Sequence, residues 1–170
     1  MTLMTPTEPD YYSTQLSNVP DVYNPYKTGD TQVPAYYNGK VRAITCSFTA
    51  PTGDVAAGSK IALQHLTQGL ILPISILNSD DLGTGTLLNI GFGEYVKNDG
   101  TLVSANTDVL IDSLDVNAAA VNKMFWEIGT TAAKTGYYLD GNALLMAEIE
   151  TGAMDATKKF TLTIFQVDGV

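Results

Sequence analysis

Cysteine and histidine are almost absent: Cys46 and His65 are the only ones in 170 residues. The chain therefore has no internal disulfide. A multi-histidine zinc site is excluded, and any Ser-His-Asp or Cys-His site would have to use His65. Basic residues are scarce too, nine Lys and Arg against eighteen Asp and Glu, for a net charge of −9. Binding nucleic acid takes clustered basic groups against phosphate, and an anionic membrane surface asks for the same, so neither partner is expected. No apolar run reaches the ~20 residues that span a bilayer. The longest candidate, Leu70 to Leu77, contains Pro73. Met1 to Pro6 has neither the basic nor the apolar region of a secretory signal, and a single thiol fits synthesis in a reducing cytoplasm. Charged residues make up 16% of the chain, low against a typical ~25%, which excludes both a charge-laced long helix and a disordered chain.

What is present divides the chain in two. Residues 1–40 hold five of the seven prolines together with Tyr11, Tyr12, Tyr23, Tyr26, Tyr36 and Tyr37. No helical or alternating period runs through them, and proline blocks helix and ladder bonding while holding its predecessor extended. An extended arm is expected here. Flexible linkers are Gly/Ser-rich and poor in aromatics, whereas six tyrosines carry apolar area with a polar tip. The arm therefore docks, either on its own domain or on a neighbouring subunit, with those six tyrosines as its partner-binding residues.

Residues 41–170 break into short strand-like runs with turn signals between them. Val41 to Ala50 alternates, with Ile44, Cys46 and Phe48 on one face and Thr45, Ser47 and Thr49 on the other. Lys60 to Leu66, Leu70 to Asn78 and Thr86 to Tyr95 follow. Asn98-Asp99-Gly100 is a tight-turn signal. Asn122 to Ile128, Tyr137 to Leu139, Ala143 to Ile149 and Lys159 to Val167 complete the set, the last with Phe160, Leu162 and Ile164 alternating with Thr161 and Thr163. Only Asp108 to Met124 offers helical spacing, weakened by β-branched residues, and a short helix is allowed there. About eight strands with regular turns predict an all-β, antiparallel β-sandwich of jelly-roll type.

Candidates for chemistry are few. Cys46 sits on the apolar face of its strand, where a lone cysteine is a small core residue rather than a nucleophile. Gly91-Phe92-Gly93 follows a strand, but Val96 stands where a dinucleotide fingerprint needs its third glycine, and those glycines read as a bulge or a close backbone approach. Asp108, Asp112 and Asp115 lie close in sequence, and Asp80-Asp81 share a loop. Such groups can bind Ca²⁺ or act as a catalytic pair, yet in an acidic protein loop aspartates mostly cap turns. Phe125 and Trp126 are expected in the core, with an exposed Trp126 beside Tyr137 and Tyr138 as the alternative that could stack on a sugar. No catalytic residue, cofactor or metal is assigned.

The order of elements carries a resemblance. Ala57-Gly58-Ser59-Lys60-Ile61-Ala62-Leu63 gives a turn and a strand. Ile71-Leu72-Pro73-Ile74 runs on through Asn78-Ser79-Asp80-Asp81-Leu82-Gly83, and then Thr86-Leu87-Leu88-Asn89-Ile90-Gly91. Later Gly136-Tyr137-Tyr138-Leu139-Asp140-Gly141 leads into Leu144 to Glu148, and Phe160 to Val167 nearly closes the chain. Over Val41 to Val170 this resembles the small tailed-bacteriophage structural proteins that decorate or cement capsids. The resemblance implies a jelly-roll sandwich, a homotrimer on the outer surface of the virion, the major capsid protein as partner, and no enzymatic activity. A tail or fibre component with a carbohydrate- or receptor-binding sandwich is the alternative, and a small glycoside-acting enzyme using Asp112 and Asp115 is a third.

Overall fold

The computed structural model describes residues 40–168. The expected arm, with all six of its tyrosines, lies outside them except for Lys40.

The described residues form β1 (Val41–Thr49), β2 (Lys60–Leu66), β3 (Gly69–Ile71), β4 (Ile76–Ser79), β5 (Leu87–Phe92), β6 (Tyr95–Val96), β7 (Leu102–Val103), β8 (Asn106–Asp115) and β9 (Ala120–Met124). Two short helices follow, α1 (Phe125–Ile128) and α2 (Thr131–Thr135), and then β10 (Tyr137–Leu139), β11 (Ala143–Thr151) and β12 (Lys159–Asp168). Every ladder is antiparallel.

In the first sheet β12 pairs with β1 along one edge. Its other edge is shared, by β4 over Phe160 to Thr163 and by β3 over Gln166 to Asp168. β9 continues outward from β4, and β10 from β3. The pair β3 and β4 thus occupies one strand position interrupted by residues 72–75, and β9 and β10 occupy the next, interrupted by α1 and α2. The second sheet has the order β2-β11-β5-β8. With the separate β6–β7 hairpin set aside and each interrupted strand taken once, eight segments remain, ordered 1-8-3-6 in one sheet and 2-7-4-5 in the other. Every connection except that from the fourth segment to the fifth crosses between sheets, which is the path of a jelly roll. The all-β sandwich expected from the sequence is the fold observed.

The alternation of β12 and β11 builds the core. Phe160, Leu162 and Ile164 face Leu145, Ala147 and Ile149 in one buried cluster, joined by Leu77, Ile71, Leu88, Ile90 and Phe92. β5 is buried on nearly every residue, so its alternation of Leu88, Ile90 and Phe92 with Asn89 and Gly91 does not separate core from solvent. β8 lies against it, with register shifts flanking Ile90. A Cβ on Gly91 would stand 2.1 Å from the Asn106 carbonyl oxygen, so only glycine permits this approach. The Asn89 side chain accepts the N–H of Ser113 at 2.7 Å, and Ser113 has φ +50°. The stretch Asp108 to Met124, expected to allow a short helix, is therefore two strands, the bulged β8 and then β9. An inserted residue puts Leu110 and Ile111 both in the core and imitates a helical period.

The run Asn122 to Ile128, expected as strand, changes to helix at Phe125. The Glu127 carboxylate accepts the Met124 N–H at 3.3 Å, and Thr130 caps α2 by accepting the Ala133 N–H while donating its hydroxyl to the Val109 carbonyl at 2.6 Å. The first cap closes α1 onto the end of β9, and the second ties α2 to β8.

Ser75 repairs the interrupted ladder. Leu72 N–H donates to the Phe165 carbonyl at 2.8 Å, and Phe165 N–H donates to the Ser75 hydroxyl at 3.0 Å, which itself donates to the Leu72 carbonyl at 2.8 Å. A side-chain oxygen thus replaces the strand carbonyl that Pro73 turns away, and Ser75 is fully buried. The freed carbonyls of Ser75 and Pro73 accept the N–H groups of Phe125 and Trp126, which start α1 and have no partner within it. Ser75→Ala should destabilise the domain by about 1–3 kcal/mol by leaving the Phe165 N–H unpaired. Thr45→Ala, on the surface of β1, should cost less than about 0.5 kcal/mol. Urea unfolding of both variants checks the difference, and equal losses would contradict the role given to Ser75.

Candidate binding face

Because side chains alternate along a strand, the residues of the first sheet that do not enter the core share its outer face. Register fixes their rows. Val41, Val167, Leu70 and Tyr138 stand side by side across four strands. Ala43 and Phe165 form the next row, ending at the interruption that carries Ile74. Thr45, Thr163, Ile76 and Met124 form the row beyond, followed by Ser47, Thr161 and Asn78. Trp126 joins this face, because its N–H donates to the Pro73 carbonyl and its indole N–H points at Met124 Sδ, 3.1 Å away. Val41 is 53% exposed, Ile74 47%, Trp126 53% and Tyr138 41%. None of these rows carries Asp, Glu, Lys or Arg.

The second sheet has the opposite character. Its strands hold Asp108, Asp112, Asp115, Glu148 and Glu150 against Lys60. A chain of net charge −9 repels acidic partners and its own copies. A carboxylate-free face, apolar at one end and threonine-rich at the other, is where contact meets least repulsion.

The structure separates the residues proposed for chemistry. Cys46 lies on β1 in the first sheet, partly buried against the core with its thiol directed at the Leu162 carbonyl, 3.7 Å away. Burial pushes that thiol up to about 11. His65 lies exposed on β2 in the second sheet, so no dyad is assembled. Asp112 accepts the Ser113 hydroxyl and Asp115 accepts the Asn117 N–H. Asp80 accepts the Lys159 N–H and pins the loop to β12, while Asp81 accepts the Gly83 N–H and holds its own turn. Among the described residues no group of three or more His, Cys, Asp or Glu is placed to hold a metal ion.

The aromatic residues divide differently from the expectation. Phe125 is buried, but Trp126 is half exposed, because the short helix turns consecutive residues about 100° apart. Tyr137 faces inward and stacks on Phe92 with ring centroids 5.5 Å apart. Burial and the hydroxyl of Tyr95 raise its pKa above the ordinary tyrosine range. Trp126, Tyr137 and Tyr138 therefore form no common platform. Ile74, Phe165 and Val167 were not legible as surface from the sequence. One signal was available: beyond Thr163 the outward positions of β12 change from threonine to Phe165 and Val167.

No family model matches the chain, and no curated protein does. Among solved structures it is similar to a chain from the capsid of Ralstonia phage GP4, at 23% identity and a TM-score of 0.57, over 77% of this chain and 86% of that one. It is also similar to a chain from the capsid asymmetric unit of cyanophage Pam1, at 18% identity and a TM-score of 0.54, over 76% of this chain and 85% of that one. What is shared is the fold.

Cys46 also gives a pH prediction. Its thiol ionises near 9.0 when unfolded and near 11 when folded, so its contribution is full below pH 9 and lost as pH rises toward 11. The stability gap between the native chain and Cys46→Ala should narrow or reverse over that window, as read by denaturant midpoints. A gap constant from pH 8 to 11 would contradict the burial of this thiol.

Proposed function

We propose that this chain is a non-enzymatic virion structural protein that binds the outside of a phage capsid and cements neighbouring capsomers. One observation carries the reading: the jelly-roll fold is shared, over 86% and 85% of their lengths, with chains from two phage capsids. The two coverages of each pair are similar, so those chains are about the length of this one. The likeness in fold thus spans most of each of those chains.

Charge and surface support the same reading. A position facing packed DNA would favour basic groups, whereas an external position tolerates −9. A cement protein works by binding. The uncharged outer face of the first sheet suits a contact with the major capsid protein or with further copies in a homotrimer. The arm over residues 1–40 supplies reach, since an extended segment covers much of a neighbour with few residues, and its tyrosines supply the anchors. The exposed indole of Trp126 favours a second reading, a tail or fibre component that stacks a sugar ring, which binding on a glycan array would support.

Among the described residues the core cluster runs from Ala50 to Ile164, and we expect a chain lacking Met1 to Lys40 to keep its fold. It should also lose co-sedimentation with purified shells. Full binding by the truncated chain would overturn the role of the arm, and failure of the complete chain to bind shells would overturn the capsid reading itself.

A further inference from the structure

The connection between β5 and β8 carries a small hairpin whose outward side is apolar. Its strands, β6 and β7, pair Tyr95 with Val103 and Val96 with Leu102. Side chains alternate along a strand, so the two pairs face opposite ways. Tyr95 is buried edge-on against Phe92, with ring centroids 6.4 Å apart, and Val103 packs on the core. Val96 and Leu102 therefore face solvent, 53% and 60% exposed. Alternation calls for polar side chains at such a pair.

The hairpin is held in one shape. Lys97 N–H donates to the Thr101 carbonyl at 2.9 Å, and Gly100 N–H donates to the Lys97 carbonyl at 3.0 Å. Gly100 has φ +86°, as the last position of a three-residue hairpin loop requires. The Thr101 N–H donates to the Asp99 carboxylate at 2.8 Å. Outside the hairpin, Lys97 bridges to Gly141, where a Cβ would stand 2.3 Å from the Val96 carbonyl oxygen. An apolar pair fixed in this way loses little freedom when a partner covers it.

Charge says what kind of partner that is. Glu94 is exposed while Tyr95 is buried, so Glu94 alternates onto the side of Val96. The Thr101 N–H holds the Asp99 carboxyl below the usual carboxylate range. Two carboxylates thus border the pair against the single ammonium of Lys97. A second copy, itself at net charge −9, is repelled by this border.

We propose that Val96 and Leu102 form a docking knob for a different protein, one whose surface offers an apolar socket bordered by Lys or Arg. The proposal rests on the capsid reading and deepens it, so the occupant is a subunit of the shell. A chain that joins neighbouring capsomers needs more than one adhesive surface. The hairpin joins two strands of the second sheet, whereas the uncharged rows belong to the first.

Co-sedimentation of the complete chain with purified shells tests this, using the double variant Val96→Thr with Leu102→Thr and the single variant Glu94→Lys. All three side chains are exposed, so urea midpoints should stay at the native value. Should the pair lower the midpoint, Leu102→Thr alone gives the same reading. The double variant should bind at least about tenfold more weakly than the native chain, and Glu94→Lys should weaken binding as well. Native affinity in the folded double variant would overturn the knob and leave the capsid reading standing. Undiminished binding by Glu94→Lys would overturn the basic border of the socket. Failure of the native chain to bind shells would overturn the capsid reading, and the knob's partner with it.

Discussion

Everything in this fold depends on an unbroken hydrogen-bond ladder along β12, the strand on which the first sheet is centred. Its partner on one side is itself broken at Pro73, and a gap there would leave the Phe165 N–H buried without a partner. The Ser75 hydroxyl closes that gap. The same interruption then releases the carbonyls of Pro73 and Ser75, which start α1. From α1 follow the inward placement of Phe125 and the outward placement of Trp126. One proline and one serine thus connect sheet, helix and surface.

Because β12 is one unbroken strand paired without a register shift, its two faces sort cleanly. One face supplies Phe160, Leu162 and Ile164 to the core. The other presents threonines that give way to Phe165 and Val167, in rows with no charge. The strands of the second sheet carry Asp108, Asp112, Asp115, Glu148 and Glu150 against Lys60, whereas those outer rows of the first sheet carry no charge. Under the proposed reading, the uncharged rows are the side that would approach a partner in a chain of net charge −9.

The sandwich was legible in the sequence because alternation in β1, β11 and β12 matches their burial almost residue by residue. The glycine pair around Phe92 was also read correctly as backbone crowding, seen at Gly91. β8 was not legible, because its bulges shift the phase of the pattern and bring Leu110 and Ile111 into the core together. α1 and α2 were missed because four and five residues are too few to show a period, and their caps use Glu127 and Thr130 respectively, which read equally well as strand or turn residues. The binding face was hidden for a different reason. A row across four strands is a property of register, and register between Val41 and Val167 cannot be read from either segment alone.

The account stands on adhesion to a shell. The measurement that reaches it most directly is fractionation, on a density gradient, of a phage lysate containing the chain, with the chain quantified in heads, tails and free protein. The account predicts enrichment with heads, at a copy number tied to the shell lattice. Recovery with tails, or only among free proteins, would contradict it.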